Sequence, residues 1–250
     1  MINLKTREEI EIMKQGGKIL QKTIAKVLPL VKPGVTTSYL DKTAESILKE
    51  YGGEPSFRSV SGYQWTLCTP INEQAVHTPP SNRALREGEL LTIDIGVLYR
   101  GYHTDYATSL VVGTVHKPKL EAFLQTGRQA LAKGIAQARV NNHLGHISQA
   151  IEKEIYTKHF FVLKDLTGHG IGRQLHEDPF VFNYLDRPIE KTERICEGLV
   201  IAIEVIYSMG SEEIVYEKRG EWSIKTSDSG LSACFEHTVA IIGDKGYILA

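Results

Sequence analysis

Cysteine is scarce: the 250 residues hold three, Cys68, Cys196 and Cys234, widely spaced and without a CxxC pair. That argues against a disulfide framework and for a reducing cytoplasm. No run approaches the roughly 20 apolar residues that a membrane span needs. The opening stretch MINLKTREEIEIMKQGG carries charges where a signal peptide would have an apolar centre. Net charge is nearly absent, with 29 basic against 30 acidic side chains. Nothing electrostatic therefore favours DNA, RNA or an anionic membrane as the main partner. No linker or low-complexity segment divides the chain. At 42% hydrophobic it has material for one large domain, 1–250, built of two closely packed halves.

What stands out is acid placed where acid is costly. Leu90 to Leu98 is too apolar for a surface strand, so both faces of a strand there are expected to be buried, with Asp94 inside it. Tyr99-Arg100-Gly101 reads as a turn into a second strand that carries Asp105 and continues through Thr108 to Val115. A two-residue loop at Tyr99-Arg100 places Asp105 directly opposite Asp94; one residue more puts them on opposite faces unless a bulge intervenes. The same device recurs. Glu87-Gly88 precedes Asp94 and Glu197-Gly198 precedes Glu204, each acid six residues beyond its glycine in an apolar run. Glu236 lies in a third such run, Leu231 to Ile242. Four acids in three apolar strands make proton sharing strained and a divalent metal the more natural neutraliser.

Helices frame these strands. Thr6-Arg7-Glu8-Glu9 is a capping-box pattern, followed by Ile10, Met13, Gly17, Leu20, Ile24, Val27 and Leu28 at helical spacing up to Lys32-Pro33-Gly34. A second helix starts at Thr36 or Thr37, with Leu40, Ala44, Ile47, Leu48 and Tyr51 inward, and ends at Gly52-Gly53. Tyr63 to Cys68 has strand character, and residues 72–83 read as a loop around His77. Helices over Lys119–Ala138 and His143–Lys158 follow, then a glycine-rich turn from Thr167 to Gly172 and strand-like segments around Glu204, Ile214, Trp222 and Glu236. Two helices and then acid-bearing strands thus occur twice. The stretch 140–156 loosely echoes 35–51, a duplication that predicts halves of roughly 1–115 and 116–250 with their acids meeting at the centre.

His169 lies between two glycines, where little bulk screens it, and imidazole is a common metal partner. His176 follows in Leu175-His176-Glu177-Asp178-Pro179, and His77 sits in the earlier loop. A set of Asp94, Asp105, Glu204, Glu236 and one histidine is oxygen-rich, suiting two hard or borderline divalent ions rather than one tetrahedral zinc. Ions about 3.5–4 Å apart can hold a hydroxide and polarise a carbonyl, which points to hydrolysis.

These residues resemble the methionine aminopeptidases of type I. The likeness rests on Asp94, eleven residues to Asp105, Gly-His169-Gly-Ile-Gly, His176-Glu-Asp-Pro, Glu204 and Ser-Ala-Cys-Phe-Glu236-His, and it runs from Lys-Thr-Arg-Glu-Glu-Ile at the start across nearly the whole chain. It implies the α+β pita-bread fold, two pseudo-symmetric αβ halves. Asp94 and Asp105 would chelate one ion, His169 and Glu204 would complete the other, and Asp105 and Glu236 would bridge. The ions would be two of Co, Mn, Fe or Zn. Catalysis would fall to His77, His176 and Glu204. The methionine pocket would comprise Tyr63, Cys68, Leu175 and Trp222, with the two histidines also binding substrate; ordinary core packing is the competing explanation for Tyr63, Cys68 and Trp222.

The substrate would be the N-terminus of a peptide or nascent protein with a small second residue, met transiently at the ribosome by a cytoplasmic monomer. The chain departs from the family in Val205 after Glu204, in Thr78-Pro79-Pro80 after His77, in Phe57 near a pocket cysteine position and in Leu175 for a usual Phe. Two alternatives stay open: another pita-bread hydrolase of the Xaa-Pro peptidase kind, and a pita-bread binding protein without catalysis.

Overall fold

The computed structural model describes residues 2–114, 117–217 and 222–250. The first half opens with α1 (Arg7–Val27) and α2 (Thr37–Glu50), then β1 (Glu54–Pro55), β2 (Leu67–Cys68), β3 (Gln74–Val76), β4 (Leu90–Tyr99) and β5 (Tyr102–Val111). The second opens with α3 (Pro118–Gln137) and α4 (Leu144–Thr157), then β6 (Phe161–Val162), β7 (Thr167–Gly170), β8 (Glu177–Phe182) and β9 (Val200–Ser208). It closes with β10 (Ile214–Tyr216), β11 (Ile224–Thr226), β12 (Ser232–Ile242) and β13 (Lys245–Ile248).

The helices start where their caps dictate. Thr6 Oγ1 accepts from the Glu9 amide while the Glu9 carboxylate accepts from the Thr6 amide, so two orphan donors of α1 are satisfied reciprocally. The Thr36 hydroxyl accepts from the Tyr39 amide at the start of α2. Along α1 the buried positions include Ile10, Met13, Gly17, Leu20, Ile24 and Val27, the stripe expected from the spacing.

One sheet runs through both halves in the order β1-β4-β5-β12-β9-β7-β8. Residue parity sorts its two faces. Ile93, Ile95 and Val97 of β4 pack with Leu20, Ile24, Leu40 and Leu48 of α1 and α2. Ile201, Ile203 and Val205 of β9, with Phe235 and Val239 of β12, pack with Phe123, Leu131, Ile147 and Ile151 of α3 and α4. Both helix pairs thus cover one face. The intervening residues, the acids among them, turn to the other, because successive side chains of a strand alternate sides. The β5–β12 ladder joins the halves. Gly88 (φ 79°) and Gly198 (φ 86°) each occupy a left-handed turn shortly before β4 and β9, so the repeated Glu-Gly device has the same geometry in both halves.

Several boundaries differ from expectation. The hairpin loop is Arg100-Gly101, both at positive φ, with Tyr99 paired to Tyr102; a two-residue turn of that kind matches the strand twist. The register therefore moves, and Asp94 faces Ala107 rather than Asp105. Strand β5 ends at Val111, and Val115 lies outside the described residues. Within 63–68 only Leu67–Cys68 is strand, while Gln74–Val76 in the expected loop is strand as well. Trp222 precedes β11 rather than lying in it. Thr167–Gly170 is a strand, not a turn. Its glycines answer to close packing: a Cβ on Gly168 would stand 2.3 Å from the Ala202 carbonyl oxygen, and one on Gly170 would stand 2.1 Å from that of Asp178.

Candidate metal centre and substrate pocket

Strand register assembles the site. In one row across the acid face, Asp94 of β4 faces Ala107 of β5, Ala107 faces Glu236 of β12, and Glu236 faces Glu204 of β9. In the next row Asp105 faces Gly96, and His169 of β7 faces Ala202 of β9. All five expected ligands therefore share one face. Ligand atoms of Asp105, His169 and Glu236, all buried, lie within 4.8 Å of one another. The expectation that His169 would be unscreened is corrected: the residue is buried, its flanking glycines serving strand packing rather than access.

The donor set fits a cation. His169 Nδ1 lies 2.8 Å from the Gly170 carbonyl oxygen, which as an acceptor fixes the Nδ1–H tautomer of a neutral ring. Its Nε2 lone pair then faces Glu204 Oε1 at 3.2 Å, acceptor against acceptor. Glu236 Oε1 is buried and has no hydrogen-bond partner among the described residues. Burial, followed by the neighbouring carboxylates, pushes Asp94 and Glu236 well above the ordinary carboxylate range. Burial does the same to Asp105, with Glu204 adding and His169 opposing. For His169 burial works against charge, but Glu204, the Gly170 carbonyl and Asp105 together raise the imidazole above its ordinary range. A divalent ion resolves every one of these conflicts at once.

Against the acids lies a half-open cavity of about 100 Å³, lined by Phe57, Val60, Tyr63, Cys68, Leu175 and Trp222 together with His77, His176 and the five ligand residues. Every residue expected in the site therefore borders it. Tyr63 is the hub, with its ring edge-on to Trp222 and Trp65 at 5.2 Å and to Phe57 at 6.2 Å. Its hydroxyl donates to the Leu67 carbonyl at 2.8 Å and lies 3.1 Å from Cys68 Sγ. Phe57 sits in a 3-10 turn, Ser56–Ser59, that packs tightly over Gly96; a Cβ there would fall 2.7 Å from Ser56 Cβ and 3.0 Å from Phe57 Cε1. Val60 lines the cavity as well, although an isolated valine carries no sequence signal.

A larger open cleft of about 520 Å³ adjoins the cavity, and His77, His169, His176 and Glu204 border both. His77 follows β3 at φ 59°, a left-handed conformation that is uncommon outside glycine. The His176 ring meets His169 edge-on, with centroids 4.5 Å apart. Desolvation in the cleft, then the His169 ring, holds His176 below the ordinary imidazole range even though the residue keeps an exposed edge. Asn3, Asp165, Gln174 and Phe180 also line the cleft; they come from distant segments, and no motif marks them.

Residues 11–242 match the model of metallopeptidase family M24. The chain is similar to a methionine aminopeptidase of Clostridium perfringens, 38% identical over 249 residues that cover 100% of this chain and 98% of that protein. Its structure is similar to that of a methionine aminopeptidase of Thermotoga maritima, with a TM-score of 0.95, 32% identity and coverage of 100% of this chain and 99% of that one. A prolidase of Pyrococcus furiosus shares the fold alone, with a TM-score of 0.77 at 22% identity and coverage of 98% of this chain and 64% of that one.

Proposed function

The chain belongs to metallopeptidase family M24, within its methionine aminopeptidases, and from this we infer that it removes N-terminal methionine by metal-dependent hydrolysis. The observation that carries the reading is the placement of five metal-ligating side chains on one sheet face, at the wall of a small and largely apolar cavity. Two divalent ions held by Asp94, Asp105, His169, Glu204 and Glu236, with Asp105 and Glu236 shared, would supply an activated water and a Lewis acid for the scissile carbonyl.

The protein's own groups do the rest. Tyr63, Cys68, Leu175, Trp222 and Phe57 take the methionine side chain, an unbranched thioether suited to aromatic walls and a sulfur contact. The free amine of the peptide lies among the carboxylates, and an internal peptide nitrogen has no charge to offer there. Glu204 borders both cavity and cleft, so its carboxylate can receive the proton of the attacking water and return it to the leaving amine. His77 and His176 stand at the same junction and donate hydrogen bonds that strengthen as charge develops on the carbonyl oxygen. The second residue of the substrate passes between them and must be small.

We place the substrates among nascent proteins in the cytoplasm, consistent with three free cysteines and the lack, among the described residues, of a helix long and apolar enough to cross a membrane. A transient ribosome encounter by a monomer completes this reading; co-sedimentation with ribosomes and size-exclusion light scattering test it. The activity itself is tested by assaying Met-Ala-x peptides beside x-Pro dipeptides with defined metals. Cleavage of the first is expected, and x-Pro cleavage alone would replace this reading with that of a proline-specific relative.

A further inference from the structure

The turn between β7 and β8 carries two groups that the proposed reaction needs, Leu175 in the pocket wall and His176 at the cleft. It has no regular structure of its own, so something else must fix it to the sub-ångström tolerance that catalysis requires. From below, the His103 amide donates to the Gly172 carbonyl at 2.7 Å and the Ile171 amide to that of Val200 at 3.2 Å. From outside, the turn is gripped by the chain's first residues.

Lys5 Nζ donates to Glu177 Oε2 at 2.6 Å and to the Asn3 carbonyl at 2.8 Å. Each side chain of the pair is only 4% exposed. Glu177 spans the turn, because its other oxygen accepts from the Gln174 amide at 3.0 Å. Lys5 is itself pinned, its amide donating to the Gly198 carbonyl at 2.7 Å in the turn that leads into β9. The fit is close: a Cβ on Gly172 would stand 2.2 Å from Lys5 Cε and 2.9 Å from Glu177 Oε1. A second clasp lies beside the first, where the exposed Arg173 donates to Glu9 at 3.0 Å and the buried Tyr102 donates to the same carboxylate at 2.5 Å.

A buried ion pair is a poor source of net stability, since desolvation offsets most of the attraction. What it imposes is location: either charge alone in that place is costly, so each dictates where the other sits. We propose that Lys5 and Glu177 are positioning residues, whose buried ion pair locks the 171–177 turn so that His176 meets the substrate and Leu175 closes the pocket. This rests on the reading of His176 given above. It assigns to the chain's N-terminal segment a role in the reaction.

The test uses Lys5→Met, Glu177→Gln and, as reference, His176→Ala, each in the full chain. The expected result is a loss of kcat of about 10–100-fold in both pair variants, the scale of a misplacement near 1 Å, with metal content unchanged. In the metal-free protein, amides 171–177 should exchange with deuterium faster while those of α3 and α4 keep their protection. Lys5→Met/Glu177→Gln should lose no more than the worse single variant, since both act through one contact. Should Lys5→Met fail to fold, Glu177→Gln alone decides, because its amide oxygen still serves Gln174. Unchanged kcat in the pair variants beside a collapsed His176→Ala would overturn the positioning role and leave the functional reading standing. Unchanged kcat in His176→Ala would remove both. Faster exchange spread evenly over the molecule would also overturn the proposal, by showing a merely structural role.

Discussion

Glu204 and Glu236 are direct cross-strand partners, carboxylate facing carboxylate across the β9–β12 ladder. Like charges in that relation destabilise a sheet, and here two further acids stand on the same face. A cation at its centre would relieve that repulsion.

Metal removal is accordingly the first prediction. Protein stripped by a chelator should be inactive, regain activity with a divalent ion, and bind up to two ions per chain by calorimetry. Binding to the folded state alone should raise the melting temperature, by linkage worth about 2.7 kcal/mol at a hundredfold excess over Kd. Asp105→Ala and Glu236→Ala should be the most damaging changes. Activity within a few fold of wild type in either would mean that the shared ligands are misassigned.

The histidines at the cleft should behave differently from the ligands. His77→Ala and His176→Ala are expected to keep their metal and lose mainly kcat, by about 10²–10³, the usual loss for a donor that acts on developing charge. Loss of bound metal on changing His77 would make it a ligand instead.

The pocket predicts selectivity. Leu175 and Phe57 both border the cavity, the one smaller and the other bulkier than the family pattern suggests. Apolar shape discriminates by only about 1–3 kcal/mol per methylene, so such wall changes matter. Met-Ala-x peptides should be cut best, with Leu and norleucine rejected less strictly than an aromatic at 175 would enforce. Comparing kcat/KM for the three in wild type and Leu175→Phe decides it. Strong rejection of Leu by both proteins would show that Leu175 does not shape the pocket.

A pH effect follows from the clamp behind Phe57. Arg58 donates to both oxygens of Glu45 at 2.7 Å, tying the turn to α2. That contact, with Lys49, holds the Glu45 carboxyl down at about 2, against 4.5 in the unfolded chain. A depressed carboxyl stabilises above its unfolded value and loses that contribution as pH falls through its folded value. The melting temperature of Arg58→Ala should therefore lie below wild type by a constant margin from neutral pH to about 4.5, and the margin should shrink towards pH 2. A margin that widens with acid would refute the assignment.

Much of this protein is written locally. The capping box at Thr6, the Glu-Gly turns six residues ahead of Asp94 and Glu204, and the single acid inside each apolar run are short-range signals, and they suffice for the four long helices and the long strands that carry the acids, though not for the short strands Gln74–Val76 and Thr167–Gly170. Period-two alternation also tells which residues share a face. It does not tell which strand lies beside which, nor in what register. The shift of the hairpin loop to Arg100-Gly101 moved Asp105 from directly opposite Asp94 to a diagonal, a difference that rests on two positive φ angles. His169 joined the acids because β7 pairs with β9, and the N-terminal segment reached the His176 turn because Lys5 and Glu177, 172 residues apart, bury their charges together. Such contacts come from long-range packing, where chain separation leaves no trace in the neighbouring sequence, so the side chains were fixed by sequence while their meeting was decided by the tertiary fold.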